Sequence, residues 1–494
     1  MIKFVKLNES FTKIVCEPYV LPEIAEHFEF FSEGYQYSPE YKKGYWDGKI
    51  RLISGKTGRF YTGLLKEVIK KLKELGYNEF SFENFDKPNL EYTEKGILDA
   101  IERFKLPVHR EVREHQLNAI LTCLMGKRRV IESPTSSGKS LVIYIVSRML
   151  AELGKKVLII TPTTMLVDQL VQDIEDYSIN DNEYDVNDNY HKVYAGKAKN
   201  IEDKIIISTW QSIIAIPKTE IDRYLQKFDA VIVDEAHGAD SSSLKMIMEK
   251  SINADYRIGL SGTIKDSRTH YLVLLGIFGT IKKMISIKEL MDLGYIAKLK
   301  IKCIVLNYTD EMKHFVSGME YDEELDTIIG YRKRNQFIAN LANKIEGNTL
   351  TILRYVEKHA KVLKEMYDAK NNKITYLLTG DTDKDDAMII KNHMENVTNT
   401  NIMGTFGKLA TGISIINLNN GIIASPSKSK IKVLQFIGRL LRKGKNKDHA
   451  TIYDIVDNLT YEDRENFLMR HFRQRYKFYK DEGFDIEVVQ INIG

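Results

Sequence analysis

The segment Ser133-Pro134-Thr135-Ser136-Ser137-Gly138-Lys139-Ser140 lies between an apolar, strand-like Arg129-Val130-Ile131 and an apolar, helix-like run from Leu141 to Leu150. Few folds accept a strand, a loop ending in Gly-Lys-Ser and a helix in that order. The loop turns the chain from sheet to helix and gathers backbone N–H groups at a helix N-terminus, which is the arrangement that receives a polyphosphate. Gly138 permits close approach, Lys139 supplies an ammonium, and Ser140 supplies a hydroxyl for Mg²⁺. Ser133 stands where the usual pattern has its first glycine.

Further along, Phe228-Asp229-Ala230-Val231-Ile232-Val233 is a short β-branched run that ends in Asp234-Glu235-Ala236-His237. A carboxylate pair at the end of a buried strand is what ATP hydrolysis requires. One acid, Asp234, is assigned to Mg²⁺, and the other, Glu235, to the attacking water. The alternative, an acidic loop after a strand, loses ground once Gly138-Lys139-Ser140 lies upstream.

Strand-like and helix-like stretches alternate around these two segments. Val130-Ile131, Val157 to Ile160, Ile205 to Ile207, Val231 to Val233 and Arg257 to Leu260 each precede a turn or a helix. Such alternation implies an α/β fold, a parallel sheet with covering helices, and loops at the carboxyl ends of the strands converge on one face. After a helix-like Ile287 to Leu293 the alternation resumes and continues to about residue 460. The residues before the phosphate loop read instead as a compact α+β accessory domain, with a turn at Gly44 to Gly48 and a strand at Lys49 to Ile53. Leu64 to Leu75 reads as an amphipathic helix, and the polar, acidic Asn180 to Asn189 as a surface loop.

At 494 residues the chain is long enough for several domains, and 43% hydrophobic with 28% charged residues is ordinary for folded protein. Cys16, Cys123 and Cys303 are isolated, giving neither a disulfide framework nor a zinc spacing, so a reducing cytoplasm is the simplest setting. No apolar run approaches the roughly 18 residues that span a bilayer, and Met1 to Lys6 lacks a secretory signal's apolar core. Both features argue against a membrane role. The net charge of +4 does not announce a polyanionic partner, but local charge is more informative. Between Tyr41 and Lys73 stand ten Lys and Arg against two acids, Asp47 and Glu67, interleaved with Tyr41, Tyr45, Trp46, Phe60 and Tyr61. That mixture suits phosphate neutralisation with base or sugar contacts, and equally a solvated hairpin whose aromatics pack a core. A second mixture, Arg470 to Lys480, is expected to pack its aromatics at least partly inward and to turn its basic residues to solvent or DNA.

Six short motifs then fall in a familiar order. Arg113-Glu114-His115-Gln116, the phosphate loop, Thr161-Pro162-Thr163-Thr164, Ser208-Thr209-Trp210-Gln211, Asp234 to His237 and Leu260-Ser261-Gly262-Thr263 resemble the successive motifs of superfamily 2 helicases. Gly404-Thr405-Phe406-Gly407, Ala410 to Ser414 and Gln435 to Arg442 continue the resemblance. Gly44 to Leu52 and Thr411-Gly412-Ile413-Ser414 are similar to the UvsW recombination helicases of tailed phages. Ser136 replaces a frequent glycine of the superfamily, and Ser414 a frequent aspartate.

The resemblance implies two tandem RecA-like parallel-sheet lobes with a small N-terminal α+β accessory domain. The boundaries expected are 1–105 for a DNA-binding accessory domain, 106–290 for the ATP-binding lobe, 291–460 for the second lobe and 461–494 for a basic and aromatic helical extension. It implies ATP and Mg²⁺ as cofactors. Arg113 and Gln116 would recognise adenine, since a side-chain amide matches a donor and an acceptor on the base edge. Pro134, Thr135, Ser136, Ser137, Gly138, Lys139 and Ser140 would cradle the phosphates, with Gly412 contributing from the second lobe. Ser140 and Asp234 would organise the metal. Arg439 and Arg442, at i and i+3, would lie on one helix face as arginine fingers, with Gln435 sensing the same phosphate. Such fingers are worth about 10³ to 10⁵ in rate.

Thr163, Gln169, Thr209 and Gln211, with Thr405 and Thr411, would grip one nucleic-acid strand, and Lys49 and Arg51 would bind duplex near a fork. His237, Ser261 and Thr263 would relay the nucleotide state to that grip; hydroxyls are also common helix caps. The activity implied is an ATP-dependent DNA helicase acting on branched DNA in phage recombination and repair. It would work as a monomer in the host cytoplasm, with phage recombination proteins as possible partners. An RNA-directed ATPase remains open, because phosphate gripping does not separate DNA from RNA. So does a clamp or annealing protein toggled by ATP, although a clamp needs neither a water-orienting acid nor fingers.

Overall fold

The computed structural model describes residues 1–32, 34–85, 91–194, 203–238, 241–265, 267–370, 372–406, 415–425, 427–444 and 447–494. The chain divides into two compact units, residues 1–133 with 138–284, and residues 134–137 with 285–494.

The first unit opens with β1 (Ile2–Lys6), β2 (Phe11–Val15), β3 (Glu29–Phe31), β4 (Lys49–Arg51), β5 (Arg59–Tyr61) and β6 (Phe80–Glu83). Four of them form a mixed sheet in the order β5-β2-β1-β6, and β3 and β4 pair antiparallel as a separate ribbon. The helix Leu65–Glu74 has the amphipathic pattern expected of it, with Val68 and Leu72 buried and Lys66, Lys70 and Lys73 exposed.

A seven-stranded sheet follows, built from β7 (Arg128–Glu132), β8 (Val157–Thr161), β9 (Tyr190–Val193), β10 (Ile205–Thr209), β11 (Ala230–Asp234), β12 (Tyr256–Ser261) and β13 (Thr280–Lys283). Every pairing is parallel and the order is β13-β7-β12-β11-β8-β10-β9. All five residues of β8 and of β10 are buried, as strands covered on both faces require. The helix Lys139–Glu152 is buried from Leu141 through Ala151, which explains why its sequence is apolar all round.

The small sheet and the large one share a core. Phe4, Phe60 and Leu64 belong to the same buried cluster as Leu272 to Leu275, Ile277 and Phe278 of the helix Arg268–Phe278. Arg257 of β12 reinforces the join: its guanidinium donates to the carbonyls of Met248, Ser251 and Ala254 and to Ser10 Oγ at 2.6 Å. Gly63 fits here because its backbone runs against the carbonyls of Leu275 and Gly276 with no room for a Cβ.

The second unit holds β14 (Lys298–Asn307), β15 (Thr349–Leu353), β16 (Thr375–Leu378), β17 (Asn401–Thr405), β18 (Asn420–Ile423), β19 (His449–Asn458) and β20 (Asp485–Asn492). It is again an all-parallel sheet of seven, ordered β16-β17-β15-β18-β19-β14-β20. The fold is therefore two tandem RecA-like sheets with a small N-terminal α+β domain.

Three local readings change on the structure. Asn180 to Asn189 is not simply a surface loop: Asp181 is buried and accepts from Arg148 Nη2 at 2.6 Å, and Asp185 caps a short helix, Val186–Asn189. The residues after 460 are not only helical. The helix Phe467–Asp481 turns its aromatics Phe472, Phe478 and Tyr479 inward, as expected, and the chain then adds β20 to the edge of the sheet beside β14. No residue of β20 is buried, and Asp485, Val488, Gln490 and Asn492 are exposed, as suits a strand at a sheet edge. The helix Lys430–Leu440 ends before Arg442, so Gln435 and Arg439 share a helical face at i and i+4, while Arg442 lies beyond the C-cap Leu441.

Candidate functional site

The phosphate loop runs from the end of β7 into the helix that begins at Lys139. Gly138 adopts φ +86°, the left-handed region open to glycine, and an added Cβ would lie 2.0 Å from Gln116 Nε2. Gln116, expected to read adenine, is thus packed against the loop. Its Oε1 accepts from the Arg113 N–H at 2.9 Å, closing the first turn of the helix Glu114–Gly126. Ser136, at a frequent glycine position of the superfamily, has φ +68°, so the backbone keeps a glycine-like conformation under a serine side chain. Lys139 Nζ donates to the carbonyl of Ser133 at 3.1 Å, so the residue at the missing first glycine serves through its backbone. Ser140 Oγ lies 2.7 Å from the hydroxyl of Tyr177, a buried partner that no sequence motif signalled.

Asp234 ends β11, and Glu235 follows with φ +54°. A left-handed residue other than glycine costs about 1–2 kcal/mol, and such strain concentrates where geometry serves chemistry. The Glu235 N–H donates to Asp234 Oδ1 at 2.9 Å. The Glu235 carboxylate meets His237 Nδ1 at 3.1 Å, and the same nitrogen lies 3.1 Å from Ser261 Oγ at the end of β12. Ser261 Oγ donates to the Thr263 carbonyl at 2.7 Å. Its hydrogen being used there, the serine oxygen accepts, and the histidine carries its proton on Nδ1 between Ser261 and Glu235. His237, Ser261 and Thr263, which the motifs placed apart, are thereby joined to Glu235.

Burial first, and the adjacent Glu235 carboxylate second, push Asp234 up to about 6 against the pull of Lys139. A half-buried acid pair held that way is short of positive charge. With a serine hydroxyl and a carboxylate as hard oxygen donors, and a glycine whose position a Cβ would fill, the residues fit a divalent cation carried by a polyphosphate.

The residues expected to touch nucleic acid are more dispersed. Thr163 and Thr209 are N-caps, their hydroxyls accepting from Leu166 N and Ser212 N at 3.4 and 3.2 Å. Gln169 is half-buried on the helix Thr164–Ser178, and Gln211 donates to the Pro162 carbonyl at 3.4 Å. Thr405 ends β17, whereas Thr411 and Gly412 lie outside the described residues. Lys49 and Arg51 are not open cations: Lys49 pairs with Glu29, and Arg51 pairs with Glu29 at 2.8 Å and with Asp47.

Residues 1–82 match the family described as DNA helicase UvsW, N-terminal, and residues 109–266 match type III restriction enzyme, res subunit. Over 505 aligned residues the chain is 30% identical to the ATP-dependent DNA helicase uvsW of Enterobacteria phage T4, with 98% of each chain covered. The chain belongs to the UvsW helicase family. The crystal structure of T4 UvsW aligns with it at 28% identity and a TM-score of 0.51, covering 100% of both chains. A DNA 3'-5' translocase, XPB2 of Sulfurisphaera tokodaii, is 26% identical over 399 residues, covering 74% of this chain and 85% of the relative. A fragment of a type I restriction enzyme HsdR subunit from Vibrio vulnificus, 19% identical with a TM-score of 0.58 over 81% of this chain and 72% of that one, shares the fold. As a UvsW-family member with RecA-like sheets, the chain is an ATP-hydrolysing DNA helicase of superfamily 2 type. Among the described residues no helix is long and apolar enough to cross a membrane.

Proposed function

We propose that this helicase remodels branched DNA in phage recombination and repair, by Holliday-junction migration, fork regression and unwinding of D-loops or R-loops. The observation that carries the reading is the shared core of the accessory sheet and the first RecA-like sheet, locked by Arg257. A DNA-binding module built into a motor lobe moves with that lobe, so each ATP cycle applies force between tracked strand and branch.

In this reading Gly138, Lys139 and the N–H groups of residues 135–140 hold the polyphosphate beside Pro134, and Arg113 and Gln116 hold adenine. Ser140 and Asp234 hold Mg²⁺, which when bound neutralises charge on the phosphate oxygens. Glu235 orients the attacking water and accepts its proton. His237 fixes the Glu235 carboxylate and links it to Ser261 at the next strand end, so a change at Glu235 is felt on the Ser261-Thr263 turn. Gln435, Arg439 and Arg442 form the proposed set that senses the γ-phosphate. Thr163, Gln169, Thr209, Gln211, Thr405 and Thr411 are proposed along the tracked strand, where capped helix starts suit phosphate. For Lys49 and Arg51 to bind DNA, phosphate must replace Glu29 and Asp47, so their contribution to affinity is an exchange and not a gain of new pairs.

The test is ATP hydrolysis with matched lengths of single-stranded DNA, duplex, four-way junction and RNA, with Glu235→Gln as control. Stimulation greatest with the junction, and absent in the control, is the expected outcome. Greatest stimulation by RNA would replace the DNA-branch reading with an RNA-directed motor, and turnover without junction movement would replace it with a clamp.

A further inference from the structure

The Ser140 hydroxyl, which the phosphate loop offers to a cation, is bonded to a side chain from another helix. Its Oγ lies 2.7 Å from the hydroxyl of Tyr177, in the last turn of the helix Thr164–Ser178. Tyr177 is 5% exposed, and among the described residues its hydroxyl and that of Ser140 have no other hydrogen-bond partner. The tyrosine ring is held from two sides. The Tyr144 ring, on the helix Lys139–Glu152, lies 5.8 Å away, and the Arg110 guanidinium lies 5.7 Å from the Tyr177 centroid. Arg110 is itself fixed by Asp176, to which its Nε donates at 2.8 Å. Tyr177 thus stands where three segments meet: the helix behind the phosphate loop, the turn Val108–Arg110 that leads to Arg113 and Gln116, and the helix that Thr163 caps.

Packing alone does not call for this hydroxyl. Tyr177 belongs to the buried cluster that holds Leu170, Val171 and Ile174, where a phenylalanine would fill the same apolar space and bring no polar atom to satisfy. The phenol hydrogen needs an acceptor, because a buried O–H left unpaired is costly, and Ser140 Oγ is the one it has. A serine that donated to Tyr177 would strand that hydrogen, so Tyr177 donates and Ser140 accepts. A serine hydroxyl without a partner rotates to suit its surroundings. Accepting from a fixed donor occupies one lone pair of the oxygen and leaves the other, together with the serine's own hydrogen, for a ligand. Hydrogen bonds made to the outer side of a metal ligand orient it, and their loss typically costs about 10- to 100-fold in metal affinity.

We propose that Tyr177 is a positioning residue for the divalent cation of the nucleotide: its hydroxyl donates to Ser140 Oγ and keeps a serine lone pair available to the metal. The assignment rests on the reading of Ser140 as a Mg²⁺ ligand and adds a residue outside the helicase motifs. It is tested on the full-length chain by equilibrium binding of a fluorescent ATP analogue, once with Mg²⁺ and once with EDTA. The ratio of the two dissociation constants measures what the cation contributes, and a purely structural change alters both constants together. Tyr177→Phe should cut that ratio by about 10-fold while binding in EDTA stays near wild type. Para-fluorophenylalanine at the same position, close to tyrosine in shape with no hydrogen to donate, should give the same loss. In a Ser140→Ala background, where the acceptor is gone, Tyr177→Phe should change the ratio no further. A ratio unchanged in both Tyr177 variants but lowered by Ser140→Ala overturns the positioning role and leaves the metal assignment intact. A ratio raised in the Tyr177 variants shows that the tyrosine competes with the cation for Ser140, and overturns it too. A ratio unchanged in Ser140→Ala takes Ser140 out of the metal site and overturns the reading beneath the proposal.

Discussion

Replacing Gly138 by alanine changes two things at once. At φ +86° an alanine is held in the left-handed region, at about 1–2 kcal/mol. Its Cβ would also lie 2.0 Å from Gln116 Nε2, so the buried Gln116 side chain must swing away and release the Arg113 N–H, a loss of about 1 kcal/mol. The sum, about 2–3 kcal/mol against the nucleotide-ready loop, corresponds to roughly 30- to 150-fold weaker ATP binding. Equilibrium titration with a fluorescent ATP analogue reads this directly. The informative comparison is the same substitution made in a Gln116→Ala background. There the clashing atom is gone and only the backbone term remains, so the penalty should fall to about 1–2 kcal/mol. Equal penalties in both backgrounds would refute the packing of Gln116 on the loop, and wild-type affinity in Gly138→Ala would refute the phosphate-loop geometry itself.

Gly63→Ala should loosen the accessory domain from the first RecA-like sheet. Its Cβ would lie 2.1 Å from the Leu275 carbonyl oxygen, a backbone atom that cannot rotate away, and overpacking of this kind costs about 1–3 kcal/mol. Limited proteolysis should then release the first 105 residues faster than in wild type, and identical digestion would speak against a rigid join. His359 is fully buried, with Nδ1 3.2 Å from Ser425 Oγ, and burial with the nearby Arg334 charge holds it down to about 3 from 6.5. Below pH 6.5 the unfolded chain takes up a proton that the folded chain refuses. Stability is therefore complete above 6.5 and lost as the pH falls toward 3, by about 1.4 kcal/mol at pH 5.5. Urea unfolding at pH 7 and 5.5 should show that loss, and His359→Gln should remove it; an equal loss in the variant would assign the pH dependence elsewhere.

Much of the chemistry was legible without coordinates because it depends on short-range backbone geometry. A glycine, a lysine and a serine at a strand-to-helix turn, or two acids at the end of an apolar strand, constrain their own conformation. Their neighbours confirm the pattern through apolar runs such as Val157 to Ile160. The edge strand β20 and the buried Asp181 were missed for the opposite reason. Each is stabilised by a partner far along the chain, β14 for one and Arg148 for the other. Lys49 and Arg51 were legible as basic, but their pairing with Glu29 depends on the β3–β4 ribbon.

The sequence by itself determined the fold class, the succession of motifs, and the residue types available for phosphate, metal and water. Tertiary structure alone decided which of them meet. Tertiary packing sets which ends lie side by side: β11 and β12 pair in register and bring Glu235, His237 and Ser261 within 3.1 Å, while the motifs only place them in order. The same packing sets Ser140 against Tyr177, with Arg110 and Tyr144 beside the tyrosine ring. Local preferences specify strands and turns, but pairing between distant strands fixes distances between side chains, and catalysis and charge clustering depend on those distances.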